Sequence, residues 1–471
     1  LGSLGILMQV FLDFWLLVAP TASVAWFAAS MFPTGETTSA SEYFQITPLQ
    51  AIVWNLIQYT FVTTWVTILL ISVLGCVFVR CTPASPGLYP SRGLKGQLLL
   101  YRVKTIDQIQ RLWTWSIIGQ YLRTLAGVRF ARPGASECDV MLNLVPELTR
   151  ADSQVFWAHG GFTNMLDQGA EHLTLRRIDM PANSFFSNNC VAEHGQFPNN
   201  FLLGVSTPAS DIRFRRQMRS RLGDSVTVAG NPPVRFGSAD FERENESRAL
   251  PGFPLFLARV SLHDLLSVGM VPIAEVLVYA ILYTVLLRHG GHAVVSACLA
   301  LVLGEVVLMF FCALLKKVLI GNQWGTAHST PFWSLRHFSY FFVQDCFFAW
   351  YRRPMRTLAG TVLANPALRR MGCRIGRRTI VTDPLQAFDW NAVSFGDDCI
   401  IDGLLQLPTF ETMRLSVKRT EINDGSSISF GGTVMGGAVI ERDTTLLPMC
   451  LVLKEMRLPT DTYEGSPAEP A

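Results

Sequence analysis

The chain has 471 residues, 49 % of them hydrophobic and only 16 % charged, with a formal net charge of +3. A soluble domain carries about 25 % charged residues, so this composition excludes an ordinary soluble globule and points to membrane segments. So small a net charge, with no basic stripe or stacking motif, argues against a nucleic-acid partner.

From the N-terminus, the first predicted elements are two apolar segments, 4–32 and 50–79, each long enough to cross a hydrocarbon layer of about 30 Å. No basic region precedes the first, so a signal peptide is a poor reading, and a chain that begins with Leu1 reads as a piece of something longer. The linker between them carries Glu36 and Glu42 but no Lys or Arg, whereas Arg80, Arg92, Lys95, Arg102 and Lys104 follow the second. A second hairpin is predicted at 269–288 and 292–315, followed by Lys316 and Lys317. Positive charge thus gathers beside the long intervening segments, which places them in the cytosol and makes the lipid bilayer a partner. Arg288, at the opposite tip, is the one dissenting charge. Asp13, Glu275 and Glu305 lie within the spans, where a carboxylate needs a proton, a partner or water. Glu305 is the deepest, and two readings stand open for it: a protonated carboxyl bonded to a neighbouring helix, or part of a hydrophilic path. The ten cysteines show no metal spacing and read as buried thiols of a reducing compartment.

After each hairpin comes an amphipathic stretch rich in aromatic and basic residues, 101–127 and 332–360, expected to lie on the membrane surface. Each is followed by a similar start, GVRFAR at 127–132 and GCRIGR at 372–377. In the last third the chain beats in sixes: Ile422, Ile428, Val434, Ile440, Leu446, Val452 and Leu458. Four places after each stands a mostly small residue, Ser426, Gly432, Ala438, Thr444, Cys450 or Met456, and Gly, Asp and Asn fill the corners. This period fits neither helix nor flat strand but does fit a three-sided parallel β-helix, with one aliphatic and one small side chain turned inward per strand. The pattern begins upstream at Ile375-Gly-Arg-Arg-Thr and Phe395-Gly-Asp-Asp-Cys, and the stretch 404–421 reads as a loop thrown out of the coil. In the first copy the rhythm survives only in pieces, at Ala151 and Trp157, then Phe185, Val191, Phe197 and Leu203. Both copies end in Gly-[Ser/Asn]-Pro, at GSPA and GNPP. The predicted organisation is therefore a tandem: hairpin 1–80, interfacial helices and degenerate β-helix 81–250, hairpin 251–320, interfacial helices and second β-helix 321–471.

Hexapeptide coils closing in Gly-Ser-Pro-Ala resemble the left-handed β-helix acyltransferase superfamily. The alternation with hairpins, and the run from Met371 to Asp398 with the 404–421 stretch, resembles the membrane-bound C-terminal region of non-ribosomal-peptide-synthetase-like poly-amino-acid synthetases of the ε-poly-lysine type. That resemblance implies a multi-pass helical membrane protein with left-handed β-helix domains. It implies amide (isopeptide) bond formation from aminoacyl thioesters carried on phosphopantetheine, with adenylation and carrier domains supplied upstream or in trans. An acyl-CoA-dependent O- or N-acyltransferase and a non-catalytic membrane scaffold are the alternatives. No metal is expected. Coils of this kind often trimerise, so a homo-oligomer and a packing of the two units on each other both stand open. Aminolysis needs a base, and relatives carry a His in the second-unit loop; here that place is Pro408. Glu411 and Asp389 match acidic positions of the pattern, as amine-binding groups or a weaker base, or else as partners of backbone amides at coil corners. In the first unit His159 and His194 are the catalytic candidates, beside His172.

Overall fold

A computed structural model of the protein describes Ala22 and residues 40–131, 137–158, 165–166, 171–188, 190–192, 195–197, 201–205, 207–208, 226–229, 234–236, 260–321, 328–331, 334–382, 389–411 and 414–471. The predicted span 4–32, with Asp13, lies outside these residues apart from Ala22. The chain forms two compact units, one of residues 1–23 with 67–251 and one of residues 24–66 with 252–471.

The described helices are α1 (Ala40–Ile46), α2 (Leu49–Phe61), α3 (Thr67–Cys81), α4 (Leu94–Leu112), α5 (Ile117–Ala126), α6 (Val271–Arg288), α7 (Ala293–Leu319), α8 (Leu335–Cys346), α9 (Arg352–Leu358) and α10 (Asn365–Arg370). Helices α2 and α3 are joined through a π-turn at Val62–Val66, and the continuous rod Leu49–Cys81, α6 and α7 are each long and apolar enough to cross a membrane. At the π-turn the Thr63 hydroxyl donates to the Tyr59 carbonyl oxygen at 2.7 Å, which satisfies an acceptor the wider turn frees. All ten cysteines are free thiols; Cys298 and Cys81 are exposed on helices and the other eight are buried.

Helix α7 buries Ser296, Ala300, Gly304, Leu308, Cys312 and Lys316, one residue every fourth place. This narrow stripe of mostly small residues lets neighbouring helices come close, as membrane helices need. At Gly304 the Tyr279 ring of α6 stands 2.3 Å from where a Cβ would sit. Arg288 donates to the carbonyl oxygens of Phe44, at 3.2 Å, and Thr47, so the dissenting charge caps the C-terminal end of α1.

In the second unit the sixfold rhythm is a three-sided coil. Parallel strands stack in three ladders, Arg374–Ile375 through Arg457–Leu458, Ile380–Val381 through Thr462–Glu464, and Leu404–Gln406 through Leu451–Val452. The inward aliphatics from Ile422 to Leu458 are each at most 1 % exposed. Ile422 stands opposite Ile440, and Ile440 opposite Leu458, so one turn takes 18 residues. The corners explain the Gly-Asp dipeptides. A Cβ on Gly376, Gly396 or Gly425 would meet the carboxylate of Asp397, Asp424 or Asp443 on the next coil, at 2.2–2.4 Å. Those carboxylates accept from backbone amides below: Asp397 from Arg377 at 2.7 Å and Asp424 from Asp397 at 2.8 Å. The stretch 404–421 is more than a loop. Leu404–Gln406 belongs to the coil, while Pro408–Glu411 and Arg414–Val417 form an antiparallel hairpin whose second strand pairs with His328–Pro331.

The first unit repeats the arrangement with erosion. Among the described residues it shows parallel ladders at Arg129–Phe130 through Gly195–Gln196 and at Glu137–Cys138 through Val226–Ala229, with a parallel bridge between Val191 and Pro208 beside them. Its coil also extends an antiparallel hairpin, Met165–Leu166 with His172–Leu175, which pairs with Gly87–Pro90. The predicted phase slips here: Val191 is 37 % exposed while Ala192 is buried, and Phe186 is the more deeply buried of its pair. A one-residue shift turns every side chain to the other face of a strand. Both Gly-x-Pro stops do the same work, since Val234–Phe236 and Glu469–Pro470 fold back antiparallel on the last coil strand and cover its open edge.

Candidate functional site

Of the candidates from sequence, Asp389, His172 and the backbone of Glu411 fall within the described residues. His159 and His194 lie outside the described residues. His172 is exposed at the start of the hairpin strand that pairs with Pro90, outside the coil ladders. Glu411 ends a hairpin strand opposite Arg414, and Pro408 starts that strand. Asp389 is 3 % exposed and lies just ahead of the single turn Trp390–Ala392.

Among the described residues Asp389 accepts from the Tyr340 hydroxyl of α8 at 2.8 Å, rather than from a backbone amide at a coil corner, the plainer expectation. Burial pushes its carboxyl up to about 6, against the pull of Lys316 and the Tyr340 hydrogen bond. Burial and the neighbouring carboxylate raise the Tyr340 phenol well above its ordinary value. Lys316, at the end of the α7 stripe, donates from Nζ to the Met371 carbonyl oxygen at 2.8 Å. A carboxylate, a phenol and an ammonium, each buried, thus fasten the start of the coil to α8 and α7. The first unit makes the analogous tie with other groups: Arg102 of α4 grips Glu147 of the turn Pro146–Leu148 at 2.8 and 2.9 Å. In both units a buried or half-buried carboxylate ahead of the coil is tied to a helix.

Helix α8 carries a second polar cluster on the side facing the π-helical segment Val260–Met270. His263 Nδ1 lies 3.1 Å from Asp264 Oδ1, and its Nε2 lies 3.5 Å from Asp345 Oδ2. The ring stands edge-on to Phe341, whose centroid is 5.8 Å away. Asp345 is raised from the usual carboxylate range by burial and by Asp264, while His263 and Ser267 pull it down. Sequence reasoning passed over this group; the His-Asp pair inside the apolar run at 260–270 was the available signal. An imidazole oriented by one carboxylate and facing another can hold and move a proton.

A third cluster joins helices α6 and α7. Arg353 Nη1 of α9 bridges Glu275 Oε1 at 2.7 Å and Glu305 Oε1 at 3.2 Å, and Tyr279 donates to Glu305 Oε1 at 3.0 Å. Both carboxylates hold Arg353 firmly protonated, its guanidinium shifted further up. Glu305 is thus bonded to a neighbouring helix through Tyr279, as one expectation had it, and also meets a cation brought by α9.

No protein-family model and no curated protein matches the chain. Among solved structures, a serine acetyltransferase of Neisseria gonorrhoeae in complex with serine is similar at 14 % identity, over 46 % of this chain and 94 % of that one, with a TM-score of 0.19. A TM-score of that size carries no argument about fold or activity.

Proposed function

We propose that the chain is a membrane-embedded acyl or aminoacyl transferase region that forms amide bonds, of the type found in non-ribosomal-peptide-synthetase-like poly-amino-acid synthetases. The observation that supports this reading most is the coil of short parallel strands with an antiparallel hairpin extended from one face, present in both units beside long apolar helices. The donor would be an aminoacyl thioester on the phosphopantetheine of a carrier domain, or an acyl-CoA. In the step, an amine nitrogen attacks the thioester carbonyl, the carbon–nitrogen bond forms and the carbon–sulfur bond breaks. The amine's proton passes to a base and the thiolate leaves to become a thiol. His159 or His194 would serve as the base, with Glu411 at the hairpin drawing in a cationic amine. A scaffold role is the second reading, favoured by Pro408 in the place of the His and by the sealed setting of Asp389.

The test is transfer by the full chain in detergent or nanodiscs, given a charged carrier domain in one arm and acyl-CoA in the other, each with an amine acceptor. Amide product in the carrier arm, cut about a hundredfold by H159A or H194A, is the expected result. Product in the CoA arm alone moves the chain to the second donor class, and no product in either arm replaces catalysis with the scaffold.

A further inference from the structure

Between Cys346 and Thr382 the chain carries eight arginines and no carboxylate. Several of these are spoken for. Arg353 is held by Glu275 and Glu305, Arg378 pairs with Asp398, and Arg369 donates to the Ile375 carbonyl oxygen at 3.0 Å. Arg370, the last residue of α10, is different. Its guanidinium lies over the Phe310 ring of α7, 4.4 Å from the centroid. Phe310 is 49 % exposed and belongs to the outward apolar face that continues through Leu314 and Val318. Arg370 and Arg374, four residues apart in the chain, are exposed and have no carboxylate partner among the described residues, and Lys317, also exposed, lies in the last turn of α7.

We infer that Arg370 and Arg374, with Lys317, form a site for the phosphate of an anionic phospholipid, whose acyl chain lies along Phe310, Leu314 and Val318. The inference rests on α7 crossing a membrane. A guanidinium stacked on a lipid-facing ring sits where water thins out, and a planar fork of donors there matches a phosphodiester better than any neutral headgroup does. Basic clusters at the exit of a span draw acidic headgroups for the same reason. The ring fixes the fork by cation–π attraction and the aliphatic face below supplies the apolar half of the site.

The experiment follows the thermal midpoint of the full chain in a neutral detergent with added phosphatidylglycerol, phosphatidylcholine or glycerol phosphate. Phosphatidylglycerol should raise the midpoint, and the other two should leave it unmoved. R370Q/R374Q should lose more than half of that rise. R370K, which keeps the charge but not the fork, should lose part of it if the double variant proves too unstable to purify. An equal rise with phosphatidylcholine or with glycerol phosphate, or a full rise in both variants, overturns the site. Native mass spectrometry of the unmodified chain gives a second readout: retained anionic lipid supports the site and an indiscriminate lipid profile sinks it. Recovery of the chain without detergent would instead remove the premise that α7 crosses a membrane, and none of these readouts depends on transferase activity.

Discussion

At the scale of single residues, the clearest physical signal is a carboxyl group taken out of water. Asp389 is raised from 3.8 to about 6, chiefly by burial. The folded protein therefore favours the protonated form. Its contribution to stability is full below the unfolded value near 3.8 and is lost as the pH rises through about 6, roughly 3 kcal/mol in all. D389N cannot ionise, so the thermal midpoint of the variant should lose that downward slope between pH 4 and 6 when both proteins are scanned in parallel. A slope unchanged by the substitution would show that Asp389 titrates normally. Glycine at a corner is the second residue-scale device. At Gly396 a Cβ would meet Asp424 Oδ1 at 2.3 Å and its backbone nitrogen at 2.4 Å. G396A should cost about 1–3 kcal/mol, read from the unfolding midpoint, because backbone on the next coil cannot yield.

At the scale of elements, the coil stands on its inward column. Ile440 is fully buried between Ile422 and Leu458 on adjacent turns. I440A should destabilise by about 2–5 kcal/mol, since stacked coils cannot collapse to refill the space. The same change at outward Val439, one residue away, should cost far less; equal losses would mean the strand faces the other way. The antiparallel strand Glu469–Pro470 closes the end of one ladder, so removing residues 465–471 should bare an edge and promote self-association, visible by size-exclusion chromatography. The eroded first coil shows the limit of pattern reading. One of its described ladders is held by aromatic stacking, with the Phe156 and Phe185 rings 4.6 Å apart, where the second unit has a regular aliphatic column.

At the scale of the molecule, the second unit braces its long apolar helices α6 and α7 with a cation from α9. Arg353 serves two span carboxylates at once. R353L would leave Glu275 and Glu305 facing each other in apolar surroundings, and folded yield from membranes should fall several-fold. E275Q/E305Q in that background should restore it, because neutral amides need no counter-charge. A yield untouched by R353L would show that the bridge carries no weight. Loss of transfer activity in E305Q with expression preserved would instead favour the hydrophilic-path reading of this cluster.

Period and composition were enough to reveal the coil of the second unit, its corner glycines and the apolar rods, because each depends on local spacing alone. The terminal strands were announced by a repeated Gly-x-Pro, though what they do there, turning back on the last strand, is a matter of pairing. Single members such as Asp389, Glu275 and Glu305 stood out in the sequence, but the long-range pairings in the polar clusters were hidden. Tyr340 and Asp389 are 49 residues apart, and Arg353 and Glu275 are 78 apart. Such pairs leave no periodic trace, since helices and coil must first be packed before their side chains meet. Local order in the amino acids dictates the repeating elements; packing selects which charges those elements bury together, because desolvation makes a partner obligatory only once water has been excluded.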